Sequence, residues 1–284
     1  MKRGAKEARR SWLGGYAALV YLFLYGPIGL VVLISFSAGK QASSFRGFSL
    51  QWYGTAFGNR FVVEALTSSL SIAFTSALLA ALFGTLAALA LQRVFGWKRQ
   101  VYDVLIYVSL MVPGIVIGIS TLIALATVRE AVNPVLQSIW DGMPLIEFGW
   151  GSVVAVHTLF NMALVIVIVR ARIAGMDRAL IEASADLYAT PWGTFRQVTL
   201  PLLLPAIIAG FLLSFTFSFD DYIVASFVRG HVNTLPVYIF SSIRRGVTPE
   251  INAIATVVLG ASIVLLFGSQ LLLRRGPRRA RKTA

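Results

Sequence analysis

Along this chain, stretches without a single charged residue alternate with short segments where Arg, Lys, Asp and Glu collect. Six uncharged stretches lie between Arg10 and Lys40, Glu64 and Arg93, Asp103 and Arg129, Glu147 and Arg170, Arg196 and Asp220, and Glu250 and Arg274. Each is long enough to cross about 30 Å of hydrocarbon as a helix. The pattern predicts helices over 14–36, 66–91, 104–128, 150–169, 201–223 and 253–273. In a bilayer core the backbone must satisfy its own polar groups, so apolar runs of this length are helices. No ten-residue segments alternate with period two, which argues against a β-barrel. The fold class is therefore all-α, a polytopic membrane protein with six transmembrane helices.

The polar segments set the orientation. With the first segment inside, the inner segments hold 18 of the 25 basic residues. The outer ones hold Lys40, Arg46, Arg60, Arg129, Arg229, Arg244 and Arg245. This bias predicts a basic cytoplasmic segment 1–13, a first helix 14–36, and a basic cytoplasmic tail 274–284, with both termini inside. The first apolar run exceeds the 7–15 residues of a signal-peptide core, and no small-residue cleavage site follows it, so the helix is read as retained. The Arg-rich tail reads as a stop-transfer segment against lipid headgroups.

Composition agrees with this reading. Only 13% of residues are charged and 57% are hydrophobic, with a mean hydropathy of +0.77, where a soluble domain carries about 25% charged residues. The net charge of +13 follows the flanks of apolar runs, so it speaks for a membrane surface and against nucleic acid. There are no cysteines, and the two histidines, His157 and His231, stand far apart. No metal site is expected. No G-x-x-x-x-G-K-[ST] occurs, so ATP and Mg²⁺ are not expected to bind a P-loop of this chain.

Three outer segments exceed an ordinary connection. Segment 37–65 carries Trp52 and Tyr53, interfacial aromatics or contacts for an outside partner. Segment 129–149 carries Asn133-Pro134 and Met143-Pro144, expected to break helices. Segment 224–252 holds Val237–Ile243 between two prolines, which predicts a short interfacial or partly re-entrant helix. Within the spans, Gly114 and Gly118 are spaced for close helix packing, and Pro27 and Pro113 are expected to kink their helices.

The inner segment 170–200 differs from an ordinary loop. Arg178, Glu182 and Asp186 make one helical stripe, and Leu180, Ala183 and Leu187 another. Ala183, Ser184 and Ala185 are small enough for a partner to approach the backbone. Thr190-Pro191 is expected to end the helix. Glu182-Ala183-Ser184-Ala185-Asp186-Leu187-Tyr188, followed by Val198-Thr199-Leu200-Pro201, resembles the "EAA" loop of binding-protein-dependent ABC importer permeases in residue type and spacing. Ser184, Val198 and Tyr188 depart from that pattern. Tyr188 matters most, since it stands where the family has a glycine able to take a positive φ.

The resemblance covers 60–273. Through Ser214–Val228, Leu235-Pro236 and Gly246–Asn252 it is similar to the spermidine/putrescine branch, although Gly114 follows the third-span proline where diamine permeases tend to carry an acid. It implies a type I ABC importer permease fold in a bacterial inner membrane and a coupling role for Glu182 to Tyr188 with Leu200 and Pro201. It also implies a second permease subunit, two copies of an ATPase that binds the nucleotide, and an extracytoplasmic substrate-binding protein. The solute would be a polyamine, another small amine or a zwitterionic metabolite.

Asp220 and Asp221 end the fifth span. Adjacent carboxylates at the edge of hydrocarbon either mark the water boundary or face a pathway. On the second reading they attract an ammonium group, with Phe215, Phe217, Phe219 and Tyr222 offering ring faces. Asn161 and His157 are further candidates, or interhelical hydrogen-bonding groups. An ion-driven secondary transporter should show internal repeats, and none is evident. An intramembrane enzyme should show a nucleophile beside His157, and no G-x-S-x-G accompanies it.

Overall fold

The computed structural model describes residues 2–40, 45–140, 145–177, 179–246 and 248–274. In chain order the helices are α1 (Lys2–Ser35), α2 (Gln51–Gly58), α3 (Arg60–Ala90), α4 (Trp97–Met111), α5 (Gly114–Ile139), α6 (Trp150–Ala174), α7 (Ala179–Asp186), α8 (Pro191–Thr194), α9 (Leu200–Asp220), α10 (Ile223–Val228), α11 (Leu235–Arg245) and α12 (Pro249–Arg274). Among the described residues the only β pairing is an isolated bridge between Ser37 and Phe48. Five stretches there are long and apolar enough to cross a membrane: Gly14–Ser35, Arg60–Arg93, Gly114–Ile139, Trp150–Ala174 and Pro191–Asp220. Pro249–Val264 is a shorter apolar helix.

Two compact units are present, residues 1–63 with 239–284, and residues 64–238. In the first, α12 packs along α1 and α2. The end of α1 is tied down by aromatic residues that the chain supplies a dozen or more positions later. Trp52 Nε1 donates to the Ser37 carbonyl (2.8 Å), and the Tyr53 hydroxyl meets Ser35 Oγ at 2.7 Å. Phe36 stacks on Phe48. Asn59, just before α3, donates to the Glu250 carboxylate at the start of α12 (2.9 Å).

The second unit is built around α6. The buried face of α3 is mostly small residues, Ala65, Ser69, Ala73, Ser76, Ala77, Ala80 and Ala88 among them, with Ile72 the large exception. Without bulky side chains between them, helices in a membrane approach closely and gain dispersion contacts. Val165 of α6 shows the result. A Cβ on Gly84 would come within 2.8 Å of Val165, and one on Gly210 of α9 within 3.3 Å. Val165 is thus clasped between two glycines. Gly118 works in the same way, since a Cβ there would meet the Phe227 ring at 2.5 Å, while Gly114 makes only ordinary contact with Ile223 at 3.9 Å. The expected packing face is real, and Gly118 is its close point.

Several expectations are corrected. The third span is not one helix over 104–128. It breaks completely at Val112-Pro113, where Val112 is extended (φ −65°, ψ 130°) because a residue before proline avoids the α region. Pro134, expected to break a helix, lies inside α5. Asn133 instead fastens this stretch, with its side chain bonded to both backbone groups of Ile146. Met143-Pro144 lies outside the described residues. The fifth span ends at Asp220, three residues early, and α10 begins at Ile223. The expected short helix at Val237–Ile243 is found as α11, somewhat longer on both sides.

Candidate functional site

Two places in the second unit collect the residues that the sequence singled out, one at each end of α9. At its start lies the loop 179–199. α7 ends at Asp186, and Thr190-Pro191 does not terminate it but opens the next helix. Thr190 Oγ1 accepts the Gly193 N–H (3.1 Å), and Pro191 sits in the first turn, where its missing N–H costs nothing. Between them the chain reverses through Tyr188, whose φ is +57°. The N–H of Tyr188 donates to the Ala185 carbonyl (2.9 Å) and that of Ala189 to the Ser184 carbonyl (3.1 Å). These are the two bonds of a Schellman C-cap, which normally places glycine in the left-handed position. Tyr188 is the single non-glycine residue with positive φ among the described residues. Tyr188 thus takes the position that glycine normally fills in such a cap, with about 1–2 kcal/mol of backbone strain held there.

What the loop shows to solvent is decided by one inward hydrogen bond. Ser184 is buried, its Oγ 2.8 Å from Thr194 Oγ1. Glu182, Ala183, Ala185 and Asp186 are all exposed, as is Pro201, while Leu200 is partly covered. Leu187 is 81% and Tyr188 96% exposed. Arg178 lies outside the described residues. The Arg172 Nε donates to the Leu202 carbonyl (2.9 Å), which ties the end of α6 to the start of α9 and holds the loop's base. Phe195–Thr199 forms a π-helical turn into α9. Nearby, Arg170 of α6 pairs with Asp103 of α4, and Arg99 Nε is 4.0 Å from the other oxygen of the same carboxylate.

At the far end of α9 the two aspartates part. Asp221 turns toward α6 and α10: its Oδ2 accepts the Ala225 N–H (2.8 Å) and lies 3.3 Å from His157 Nε2. The other nitrogen of His157 is 2.7 Å from Ser218 Oγ, which in turn is 2.9 Å from Ser76 Oγ on α3. Hydrogen bonds thus link α3, α9 and α6, and His157 Nε2 lies against the partly covered Asp221 without a hydrogen bond to it. Asn161, one turn along α6 from His157, is buried, and its Oδ1 has no partner among the described residues; Ser214 Oγ is buried in the same state. Asp220 is exposed. Phe211, Phe215 and Phe219 stack along one side of α9, with Phe74 edge-on to Phe211. Phe217 is 51% exposed on another side, and Tyr222 is partly covered. Trp52 and Tyr53 belong to the other unit, where they hold the end of α1.

Ser76 and Ser218 were not singled out from the sequence. Ser218 carried one signal, since it stands three positions before Asp221 on the same helical face. The buried partner on α3 carried none.

The described residues build a helical membrane protein with an exposed, capped loop before α9, and comparison with known proteins gives its family. Residues 80–282 match the family described as the inner membrane component of binding-protein-dependent transport systems. The chain is 37% identical over 273 residues to the putrescine transport system permease protein PotI of Escherichia coli K12, covering 95% of this chain and 93% of that one. It is also 37% identical to the spermidine/putrescine transport system permease protein PotC of Haemophilus influenzae, covering 90% and 94%. A structure of a bacterial ABC transporter that imports the acidic polysaccharide alginate superposes with a TM-score of 0.70 at 20% identity, over 97% of this chain and all of that one. At that identity the likeness speaks for the fold alone.

The chain belongs to the family of inner membrane permease subunits of binding-protein-dependent ABC importers.

Proposed function

We propose that this subunit forms half of a pathway for a small cationic amine of the putrescine or spermidine kind, opened by a separate ATPase that grips the loop 179–199. The observation that carries the substrate class is near-full-length similarity to relatives named for putrescine and spermidine transport. Asp220 supports it, an exposed carboxylate at the end of a span with Phe217 exposed on the same helix. A second permease subunit would complete the pathway, and a binding protein outside would deliver the solute. Two ATPase copies would bind ATP and Mg²⁺. As they close, the loop's exposed Leu187 and Tyr188 would transmit their movement to α9 through the π-helical turn, biasing the pathway between two states.

Both termini and the loop would face the cytoplasm, as the distribution of basic residues indicates. Cells expressing the whole transporter should take up labelled putrescine, with unlabelled spermidine but not glutamate competing. A cysteine replacing exposed Asn233 should react with an impermeant thiol reagent from outside, and one replacing Asp186 should not. Labelling of position 186 in intact cells would reverse the orientation. Uptake indifferent to every amine would remove the substrate class.

A further inference from the structure

The ends of two apolar spans and the base of loop 179–199 meet at a cavity that has no part in passing the solute. The spans Arg60–Arg93 and Trp150–Ala174 run side by side, since a Cβ on Gly84 would meet Val165 at 2.8 Å. Near their ends, at Gln92 and Ile173, both line a cavity of about 410 Å³. Arg99 of α4 closes one side, and Ile181 and Thr199 bring in the loop.

The charge of this cavity is one-sided. Arg99 and Arg170 both line it, and no acidic residue does so among the described residues. The two guanidiniums share one carboxylate, that of Asp103: Arg170 meets its Oδ1, and Arg99 Nε stands 4.0 Å from its Oδ2. Arg99 Nη1 also donates to the Leu91 carbonyl (3.3 Å), which holds that side chain in place. The two side chains are 39% and 21% exposed, so both are partly withdrawn from water. Nη2 of Arg99, and Nε and Nη2 of Arg170, bond to no described residue. One positive charge is left unmatched, and it is carried on planar forks with open donors. The Gln92 amide and the Thr199 hydroxyl stand on the same wall. That donor set fits the oxygens of a phosphate.

The rest of the wall is apolar, with Phe95, Ile173 and Met176. Phe95 is 76% exposed, and Trp97, on the same connection, is 68% exposed. Aromatic rings at the end of a span belong at headgroup level. A basic pocket between helices on the cytoplasmic side of a membrane is the arrangement that holds an anionic lipid head. We propose that this cavity seats the headgroup phosphate of an anionic phospholipid between Arg99 and Arg170, with Phe95 and Ile173 against its glycerol and upper acyl carbons. Through Ile181 and Thr199 the lipid touches the base of loop 179–199. Its leaflet follows from the cytoplasmic placement of that loop proposed above, and its chemistry does not depend on which solute is carried.

The assembled transporter, released from vesicles of equal phosphatidylglycerol and phosphatidylcholine, can be weighed by native mass spectrometry with the lipids it retains. The wild type should retain phosphatidylglycerol in preference. Arg99→Gln spares the Arg170–Asp103 pair and should lower that preference about fivefold. Asp103→Asn removes the shared counter-charge and should hold the preference or raise it. No preference in the wild type, an unchanged one in Arg99→Gln, or a fall in both variants overturns the site. The last outcome would mark a merely structural triad, which fails whichever member is removed. Inorganic phosphate added to the wild type should leave the lipid in place; displacement would assign the cavity to a free phosphate and overturn the lipid.

Discussion

The two ends of α9 are built on opposite plans. At its start, loop 179–199 turns nearly everything outward. Ser184 alone in α7 is buried, and the loop's most exposed residue occupies its most strained backbone position. At its end, the polar side chains turn inward: Ser218 and Asp221 meet His157, and Ser218 also meets Ser76. The first region leaves its side chains open to solvent, while the second bonds the chain's own helices to one another. Neither length nor composition explains the difference, because both regions carry hydroxyls and carboxylates. In the loop the carboxylates of Glu182 and Asp186 are exposed, whereas at the far end Ser218 and Asp221 are engaged within the chain and Asp220 is left open. A satisfied polar group contributes to stability, whereas an exposed one remains available to a partner.

This contrast can be broken most directly at Ala183. A bulky Ala183→Trp on the exposed side of α7 should abolish uptake and the stimulation of ATP hydrolysis by loaded binding protein. The melting temperature of the isolated subunit should stay put. Normal uptake by that variant would remove the loop as the ATPase contact.

At the other end, the paired aspartates offer a sharper test, because α9 ends at the exposed Asp220 while Asp221 is extended and bonded into the corner. Asp220→Asn should lower uptake roughly tenfold with unchanged melting. Asp221→Ala should do the reverse in kind: the Ala225 N–H loses its acceptor, and stability falls by about 1–3 kcal/mol, read as an earlier thermal transition. If Asp221→Ala melts like the wild type, the inward network is not what holds the corner. Should Asp220→Asn transport normally, that carboxylate marks only the water boundary.

The smallest effect is expected at Tyr188. Tyr188→Gly relieves the left-handed strain and should raise stability by up to about 1 kcal/mol, partly offset by the greater freedom of glycine in the unfolded chain. It also deletes the exposed ring, so uptake should fall a few-fold while the loop keeps its shape. Higher stability with full uptake would mean that the ring is not part of the contact.

Much of the fold was legible because a membrane writes its requirement into composition. The apolar runs placed α3, α6 and α9 within a few residues at most ends, and the fixed spacing from Glu182 to Pro201 located the loop before any coordinates did. Errors fell where a proline's effect depends on its surroundings. Pro113, after Val112 in an apolar run, breaks a span, and Pro134, after Asn133, does not. Thr190-Pro191 reads equally well as an end or a beginning, and the cap accepted by Thr190 decided for the beginning.

The sequence by itself determined that the chain lies in a membrane and roughly where it crosses, and it singled out the loop proposed as the grip of an outside machine. Those properties follow from the chain's own periods and run lengths, which no neighbour can change. Only the tertiary structure decided that Asp221 is engaged and Asp220 open, that Ser184 faces inward, that Tyr188 accepts a glycine's conformation, and that the chain breaks at Val112-Pro113. Each of these depends on which side chain from another helix arrives within about 3 Å, and that is set by packing register across distant segments rather than by any local pattern.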